Sequence, residues 1–233
     1  ESINLNVTNG LGHFRILHDS SVIYQSMDFF NQEDKMTKGE RTKQLIIREA
    51  LNLASIVGLE SLSIGEISKK VKMSRSGLFA HFNSKEQLQL DLLKTAEKHF
   101  IEIVLKPAEE FNSPLEKLST IQKHWPSWFD KAPFEMKGGC IFILAMIEFD
   151  DQPGMVRDFL YDQQNRLVKY IKKIAKDAIR SGELKENLDP ELFAYEVYSL
   201  YLGQSIYRKF HGDSGAKAKF NQSVNDLIER WKA

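Results

Sequence analysis

The sequence has almost no cysteine and no long apolar run. Cys140 is the single cysteine among 233 residues, which excludes an internal disulfide framework and a cysteine-rich zinc site. The longest apolar run, Cys140–Ile147, is about half of the ~18 residues that a membrane helix needs. The six histidines lack the spacing of metal ligands, so we expect no metal site and no cofactor. No signal-peptide pattern is found, so we expect a cytoplasmic protein without membrane segments.

Neither sign of charge is in excess overall, since 32 Lys and Arg balance 32 Asp and Glu. The distribution along the chain is uneven. Residues 38–85 carry nine basic and four acidic side chains, a net charge of +5, whereas residues 1–35 carry −3 and residues 86–233 carry −2. A basic block joined to a mildly acidic remainder indicates a DNA-binding head on a nearly neutral body.

No stretch alternates apolar and polar residues as a half-buried strand does. Apolar residues instead recur at helical spacing from Glu40 onward, so we predict an all-α fold. Capping boxes at Ser63–Glu66 and Ser84–Gln87 predict two helix starts, and Ser74 is expected to cap a short helix between them. Gly58 stands where a left-handed helix C-cap belongs.

Two short helices meet at residues 72–74, the length and tight connection of a helix-turn-helix whose second helix enters the major groove. Arg75 can fork onto guanine or phosphate, and Gly77 lets the backbone approach DNA closely. Lys85, at the next helix start, and His81 can bind phosphates. The predicted DNA-binding residues are Ser63, Ser74, Arg75, Ser76, Gly77, Phe79, His81 and Lys85.

The residues of the predicted helix-turn-helix belong to a longer sequence pattern. It includes Arg48, Ala50, Gly58, Ser63, Glu66-Ile67 and the run from Ser74 to Leu88. With this pattern, residues 41–92 resemble the head of the TetR/AcrR family of transcriptional regulators. Gly138-Gly139-Cys140 and residues 148–154 resemble the body of a family subgroup. Phe79 stands where the family usually has Tyr, which removes one phosphate hydrogen bond. Lys72 stands where Gly is common, and a positive φ there would strain it mildly.

The resemblance implies a repressor that binds a palindromic double-stranded DNA operator as a homodimer and is released by a small apolar or aromatic effector. It divides the chain into a DNA-binding domain at 36–85, with the motif at 63–82, and a ligand-binding and dimerisation domain at 86–233. Helices at about 155–181 and 190–210 are expected to form the dimer interface. Residues 1–35 lack a sustained period, and we expect them to be a leader or tail outside the native fold.

The middle of the chain is rich in aromatic and methionine side chains. Core packing explains most of them, but family bodies enclose an apolar ligand cavity. Cys140 precedes an apolar run, which favours a buried, inert thiol over a redox sensor. For Glu148 and Asp151, surface or capping roles are favoured over binding of a cationic ligand. The predicted ligand-binding residues are Trp125, Trp128, Phe129, Phe142, Met146 and Phe149.

Two other classes of protein stay open at this point. One is a helical protein-interaction module that has lost DNA binding, which loss of Arg75, His81 and Lys85 together would have supported. The other is an all-α enzyme, although the sequence shows no nucleophile–base motif and no phosphate-binding loop.

Overall fold

The computed structural model describes residues 36–134 and 136–233, so the expectation for residues 1–35 lies outside the described residues. Within these two ranges the chain is helical and forms no strand, only an isolated bridge between Leu184 and Lys232. The predicted all-α class is confirmed. None of the described helices is long and apolar enough to cross a membrane.

The chain order of the helices follows the sequence periodicity. They are α1 (Lys38–Val57), α2 (Ile64–Lys70), α3 (Arg75–Phe79), α4 (Lys85–Phe100), α5 (Pro114–His124), α6 (Ile141–Phe149), α7 (Met155–Arg180), α8 (Pro190–His211) and α9 (Ala216–Trp231). A π turn at Ile101–Leu105 and a 3-10 turn at Lys106–Glu110 prolong α4. Pro107 has no N–H group, so regular α-helix cannot continue through it.

The three predicted helix starts are confirmed, since α2, α3 and α4 begin directly after Ser63, Ser74 and Ser84, but the capping hydrogen bonds form only in part. The Ser74 hydroxyl accepts the Gly77 N–H at 3.0 Å. The Ser63 capping box is wrong, because Ser63 precedes α2 but its side chain makes no cap hydrogen bond. Ser84 accepts the Gln87 N–H at 3.0 Å, but the Gln87 side chain bonds Asp91, so only half of that box forms. Gly58 has the expected positive φ of 95°, but its ψ of 157° is extended rather than left-handed helical.

The head of the molecule consists of α1, α2 and α3 around a small apolar core. Leu51, Ile67, Leu78 and Phe82 are almost completely buried there. Burial of these side chains contributes roughly 1.5–3 kcal/mol each and fixes how α3 lies against α2. The packing therefore determines which face of α3 is left to solvent.

The body places α8 between α7 and α9, with α4, α5 and α6 packed around them. Asp189 caps α8 and Pro190 occupies its first turn, which is a residue pattern typical of a helix start. The chain terminus is fastened to the α7–α8 connection, where the Lys185 N–H donates to the Trp231 carbonyl at 2.9 Å. The body is thus a closed helical unit on which the head is mounted through α4.

The last turn of α4 holds a partly buried histidine. The His99 ring meets the edge of Phe134 with 5.1 Å between ring centroids. Removal from water and the nearby Lys98 lower the pKa of His99 to about 4, against a weaker opposite effect of Glu102. His99 is therefore neutral in the folded chain at neutral pH, whereas its unfolded pKa is near the ordinary value of about 6.5.

We expect His99 to make the protein less stable in acid. Since the unfolded chain binds the proton at higher pH than the folded chain, stability falls as pH drops from about 6.5 to about 4. Replacing His99→Gln should remove about 2 kcal/mol of this pH dependence. Denaturant unfolding at a series of pH values measures it, with His211→Gln, an exposed histidine, as the control. Parallel stability curves for wild type and His99→Gln would refute the assignment.

Candidate nucleic-acid interface

The turn between α2 and α3 brings the short helices together at a defined angle. Lys72 has a φ of 54°, the one positive φ among the described residues other than glycine. The Met73 N–H then donates to the Ser68 carbonyl at 2.9 Å, which closes the turn. The positive φ expected at Lys72 is thus present, at the modest strain of a side chain in the left-handed region. In return the Lys72 ammonium is exposed beside the start of α3.

The outer face of α3 carries the side chains that the sequence predicts to meet DNA. Arg75, Ser76 and Phe79 are exposed, and Phe79 keeps 45% of its surface accessible. Ser63, Ser74 and Lys85 are also exposed, whereas Gly77 and His81 are partly covered. None of the eight is buried, so each is accessible to a partner from solvent. Lys69 and Lys70, in the last turn of α2, add two exposed cations.

The Arg75 side chain folds back over the first turn of α2. A Cβ on Gly65 would lie 3.0 Å from Arg75 Nη2, so this glycine leaves the space that the guanidinium occupies. The guanidinium remains at the edge of α3 and exposed. An Arg at this place can turn its planar fork outward to a guanine edge or a phosphate.

The loop after α1 is held by side chains of the body, and we name these contacts the head clasp: Lys85, Gln89 and Glu148 on residues 58–60. Glu148 of α6 accepts the N–H groups of Leu59 at 2.7 Å and Glu60 at 3.2 Å. From α4, Gln89 donates to the Leu59 carbonyl at 2.8 Å and Lys85 donates to the Glu60 carbonyl. The clasp therefore grips both the donors and the acceptors of one short loop.

Gly58 makes the clasp sterically feasible. A Cβ at this position would lie 1.7 Å from Glu148 Oε1, so a side chain there would displace the carboxylate. The positive φ of Gly58 is a second reason why glycine is favoured at this position. The glycine that the sequence marks as a helix cap thus also admits the carboxylate of α6 to the head.

A second contact between head and body lies at the other end of α6. The Gly138 N–H donates to Ser55 Oγ at 3.3 Å, and a Cβ on Gly138 would lie 1.4 Å from the Ser55 carbonyl oxygen. The backbone of the segment before α6 therefore touches the backbone of α1 directly. Together with the clasp, this contact connects both ends of α6 to the head.

The predicted ligand-binding side chains are packed against one another in the body core. Trp125 stacks on Tyr201 with 4.1 Å between ring centroids, and Trp128 stacks on Phe142 at 5.8 Å. Tyr198 joins this cluster to Met146, since its hydroxyl donates to the Met146 sulfur at 3.6 Å. Phe129 and Phe149 are buried as well. These rings fill the space in this structure, and their contact with an effector stays a prediction.

Cys140 and Glu148 have the roles that the sequence analysis favoured, a buried thiol rather than a redox sensor and a capping carboxylate rather than a ligand for a cation. Cys140 is buried, and removal from water raises the pKa of its thiol, which keeps it in the unreactive protonated form. Glu148 acts as a cap on backbone N–H groups of the head. No local sequence pattern could have predicted this contact, because the N–H groups that Glu148 caps are about 90 positions away in the chain. The role of Gln89 could have been suspected from the sequence, because it is a polar residue between Leu88 and Leu90, which are buried.

The clasp can be tested with an isosteric change. Glu148→Gln keeps the shape but replaces two charge-assisted hydrogen bonds to Oε2 by weaker ones to a neutral amide oxygen. We expect the free energy of unfolding to fall by about 1–3 kcal/mol. Asp151→Asn, an exposed neighbour with the same change in charge, is the matched control and should stay within ~0.5 kcal/mol of wild type. Equal stability of the two variants would contradict the clasp.

Comparison with known proteins supports the same division of the chain. Residues 46–92 match the family described as "Bacterial regulatory proteins, tetR family", and residues 114–224 match "Tetracyclin repressor-like, C-terminal domain". The transcriptional regulator TcmR of Streptomyces glaucescens is 26% identical over 182 residues, 76% of this chain and 76% of its own. The negative regulator IcaR of Staphylococcus aureus is 24% identical over 189 residues, 80% of this chain and 96% of its own.

The architecture agrees with solved structures. A TetR transcriptional regulator from Chloroflexus aurantiacus superposes with a TM-score of 0.76 at 20% identity, covering 84% of this chain and 98% of that one. The matched segments include the helix-turn-helix and most of the body, and TetR-family regulators are DNA-binding factors rather than enzymes. The chain belongs to the TetR family of ligand-responsive, DNA-binding transcriptional regulators.

Proposed function

We propose that α3 enters the major groove of an operator half-site and that the exposed side chains of the head divide the work there. Arg75, Ser76 and Phe79 project from the outer face of α3 and are placed for base edges. Gly77, within that helix, is assigned to phosphates together with four residues that flank the helix in sequence, Ser63, Ser74, His81 and Lys85. The exposure of α3 between Lys69, Lys70 and Lys72 is the observation that carries this assignment.

Phe79 shapes the contact differently from a tyrosine. Without a hydroxyl it cannot donate to a phosphate, but an exposed apolar ring can pack against a thymine methyl group. The cations beside α3 supply the phosphate contacts that remain. Lys85 has two tasks in this proposal, because its ammonium already binds the Glu60 carbonyl in the clasp and lies at the start of α4.

We expect Arg75→Ala to weaken operator binding about ten-fold or more, because each good bidentate contact contributes roughly 1–3 kcal/mol of discrimination. The operator is first obtained by selection from random DNA sequences and by testing DNA upstream of the gene itself. Binding is then measured by fluorescence anisotropy at two salt concentrations. Wild-type affinity should fall steeply with salt, since several phosphates are contacted.

Lys176→Ala removes one exposed positive charge on α7, in the body, and is the matched control for this experiment. It should bind the operator as wild type does. If both variants lose affinity equally, the loss reflects overall charge and the assignment of Arg75 is wrong.

We propose dimerisation through the outer face of α8. Leu192, Tyr195, Ile206 and Phe210 are 51%, 65%, 50% and 83% exposed and follow one another at helical spacing along that face. Gly203 lies among them, and no atom lies within 4 Å of the position of its absent Cβ. A groove of about 740 Å³ runs beside it between α8 and α9. Such an apolar stripe along a whole helix is typical of a protein interface.

The sequence analysis predicts a dimer interface of the helices at about 155–181 and 190–210, which are α7 and α8. In the present proposal α8 is kept in the interface, and α9 takes the place of α7 beside it. The outer face of the C-terminal half of α7 carries Lys169, Lys172, Lys173, Lys176 and Arg180 around one groove. Two such faces brought together across a twofold axis would repel each other. The exposed residues of α9 are mixed in charge and suit the rim of an interface.

The two alternatives differ in a sedimentation experiment. Tyr195→Glu buries a charge in the α8 interface and should shift the protein from twice the chain mass of 26.9 kDa to the monomer mass. Lys169→Glu on α7 should leave the dimer unchanged, although it inverts a charge at an equally exposed position. A dimer that survives Tyr195→Glu and dissociates with Lys169→Glu would place α7 in the interface instead.

Release of DNA follows from linkage in this proposal. An effector that binds the body better in the conformation unable to hold DNA lowers operator affinity by the same differential free energy. The clasp and the Gly138–Ser55 contact connect α6 and the segment before it directly to the head. As in TetR-family regulators generally, which are mostly repressors, we propose that this release is derepression.

A further inference from the structure

A cavity outside the aromatic core opens between the segment before α6, α6 itself and the C-terminal half of α8. Its volume is about 700 Å³, within the range of small-molecule sites. Its walls are apolar and come from Phe129, Ile143, Leu144, Ile147, Ile206 and Phe210. Of the six ligand-binding residues expected from the sequence, it includes Phe129 alone. The space is thus sufficient for an apolar molecule without displacing the packed rings.

The charges around this cavity are mainly positive. Lys137, Arg208 and Lys209 line it, against Asp130 as the one acidic lining residue. Arg208 lies over the Phe129 ring at 4.9 Å and has Nη2 at 3.5 Å from Asp130 Oδ1, so its guanidinium is held in place at the wall. The excess of cations at an apolar mouth favours a ligand with an apolar body and a negatively charged end.

The floor of the cavity adds polar groups. Cys140 and Ser205 reach the cavity from its inner side. Behind them, the buried Tyr201 hydroxyl approaches the Cys140 thiol and Ser205, and the Trp128 ring N–H approaches the same thiol. α6 starts at the same place, at Cys140, without a side-chain cap.

The wall of the cavity is also the attachment of the head. Gly138 lines the cavity and contacts Ser55 of α1, and Ile143, Leu144 and Ile147 lie on the helix that carries Glu148 of the clasp. A ligand that separates this wall from α8 would displace both head contacts together. Ile206 and Phe210 belong to the proposed dimer face, so the cavity lies at the edge of that interface.

We propose that this cavity is the effector site and that it takes apolar monocarboxylates, with the carboxylate at the Lys137, Lys209 and α6 end and the apolar part against Ile143, Leu144 and Ile147. The proposal rests on the function proposed above but concerns binding that is measured without DNA. The effector thus lies beside the aromatic cluster rather than within it.

The test is direct binding of decanoate to the full chain by titration calorimetry in the absence of DNA. Decanol and decyltrimethylammonium have the same apolar body with a neutral and a positive end. We expect saturable decanoate binding, at least about five-fold tighter than decanol, and no binding of the cation. Lys137→Gln/Lys209→Gln should reduce the decanoate preference over decanol, whereas Lys169→Gln/Lys176→Gln, an equal charge change on α7, should not.

A second pair of variants tests the place of binding. Ile147 is 62% exposed at the mouth, so changing it is tolerated by the fold. Ile147→Glu should abolish decanoate binding and Ile147→Lys should retain it. No saturable decanoate binding, or equal effects of the two Ile147 variants, overturns the site. Operator binding measured separately on wild type shows whether the proposed function holds, so failure of one is not confused with failure of the other.

Discussion

The position of the DNA-binding head depends on one carboxylate. Glu148 stands on α6, yet one of its oxygens, Oε2, accepts the N–H groups of both Leu59 and Glu60 in the loop between α1 and α2. Gly58 provides the room, and Gln89 and Lys85 hold the carbonyls of the same loop from α4. Since backbone groups in a loop have no helical partners, these side chains supply the hydrogen bonds that the loop would otherwise make with water. The head is thereby fixed to two body helices at once.

The same arrangement explains why the head can be so small. Its core of Leu51, Ile67, Leu78 and Phe82 is modest, and α2 and α3 have seven and five residues. Isolated helices of that length are not stable in water, so tertiary packing must hold them. α1 packs against α2, α2 packs against α3, and the body helices α4 and α6 hold α1. Supported in this way, α3 presents Arg75 and Phe79 from a base that is connected to α6 through the clasp.

Local sequence signals predicted the local structure well. Ser74, Asp189 and Pro190 act within a few residues of themselves, and helices begin where they indicate. The positive φ at Lys72 was also accessible from the turn pattern. Ser63 shows the limit, because a capping box needs a backbone angle and a free side chain that only the completed loop decides. The helix-turn-helix could therefore be predicted from sequence down to its exposed residues.

Contacts between distant segments could not be predicted in this way. The pairing of Glu148 with Leu59 and of Gly138 with Ser55 spans more than 80 positions, and no periodicity relates the partners. The aromatic residues illustrate a second difficulty. Aromatic residues such as Trp125 and Trp128 are common both in a protein core and in the wall of a ligand cavity. Only the packing in the structure shows which of the two roles they have. Their ring contacts with Tyr201 and Phe142 show that this space is filled.

The magnitude of the clasp matches what a regulator of this kind requires. A hundred-fold change in operator affinity corresponds to a coupling free energy of about 2.7 kcal/mol, within the usual range for allosteric proteins. Hydrogen bonds to a charged group contribute about 1.5–3 kcal/mol each. Loss of one or both bonds from Glu148 to the head is therefore enough to change which head position is favoured. It is also small against the burial of the body core, so in the proposed mechanism α6 would release the head without unfolding the body.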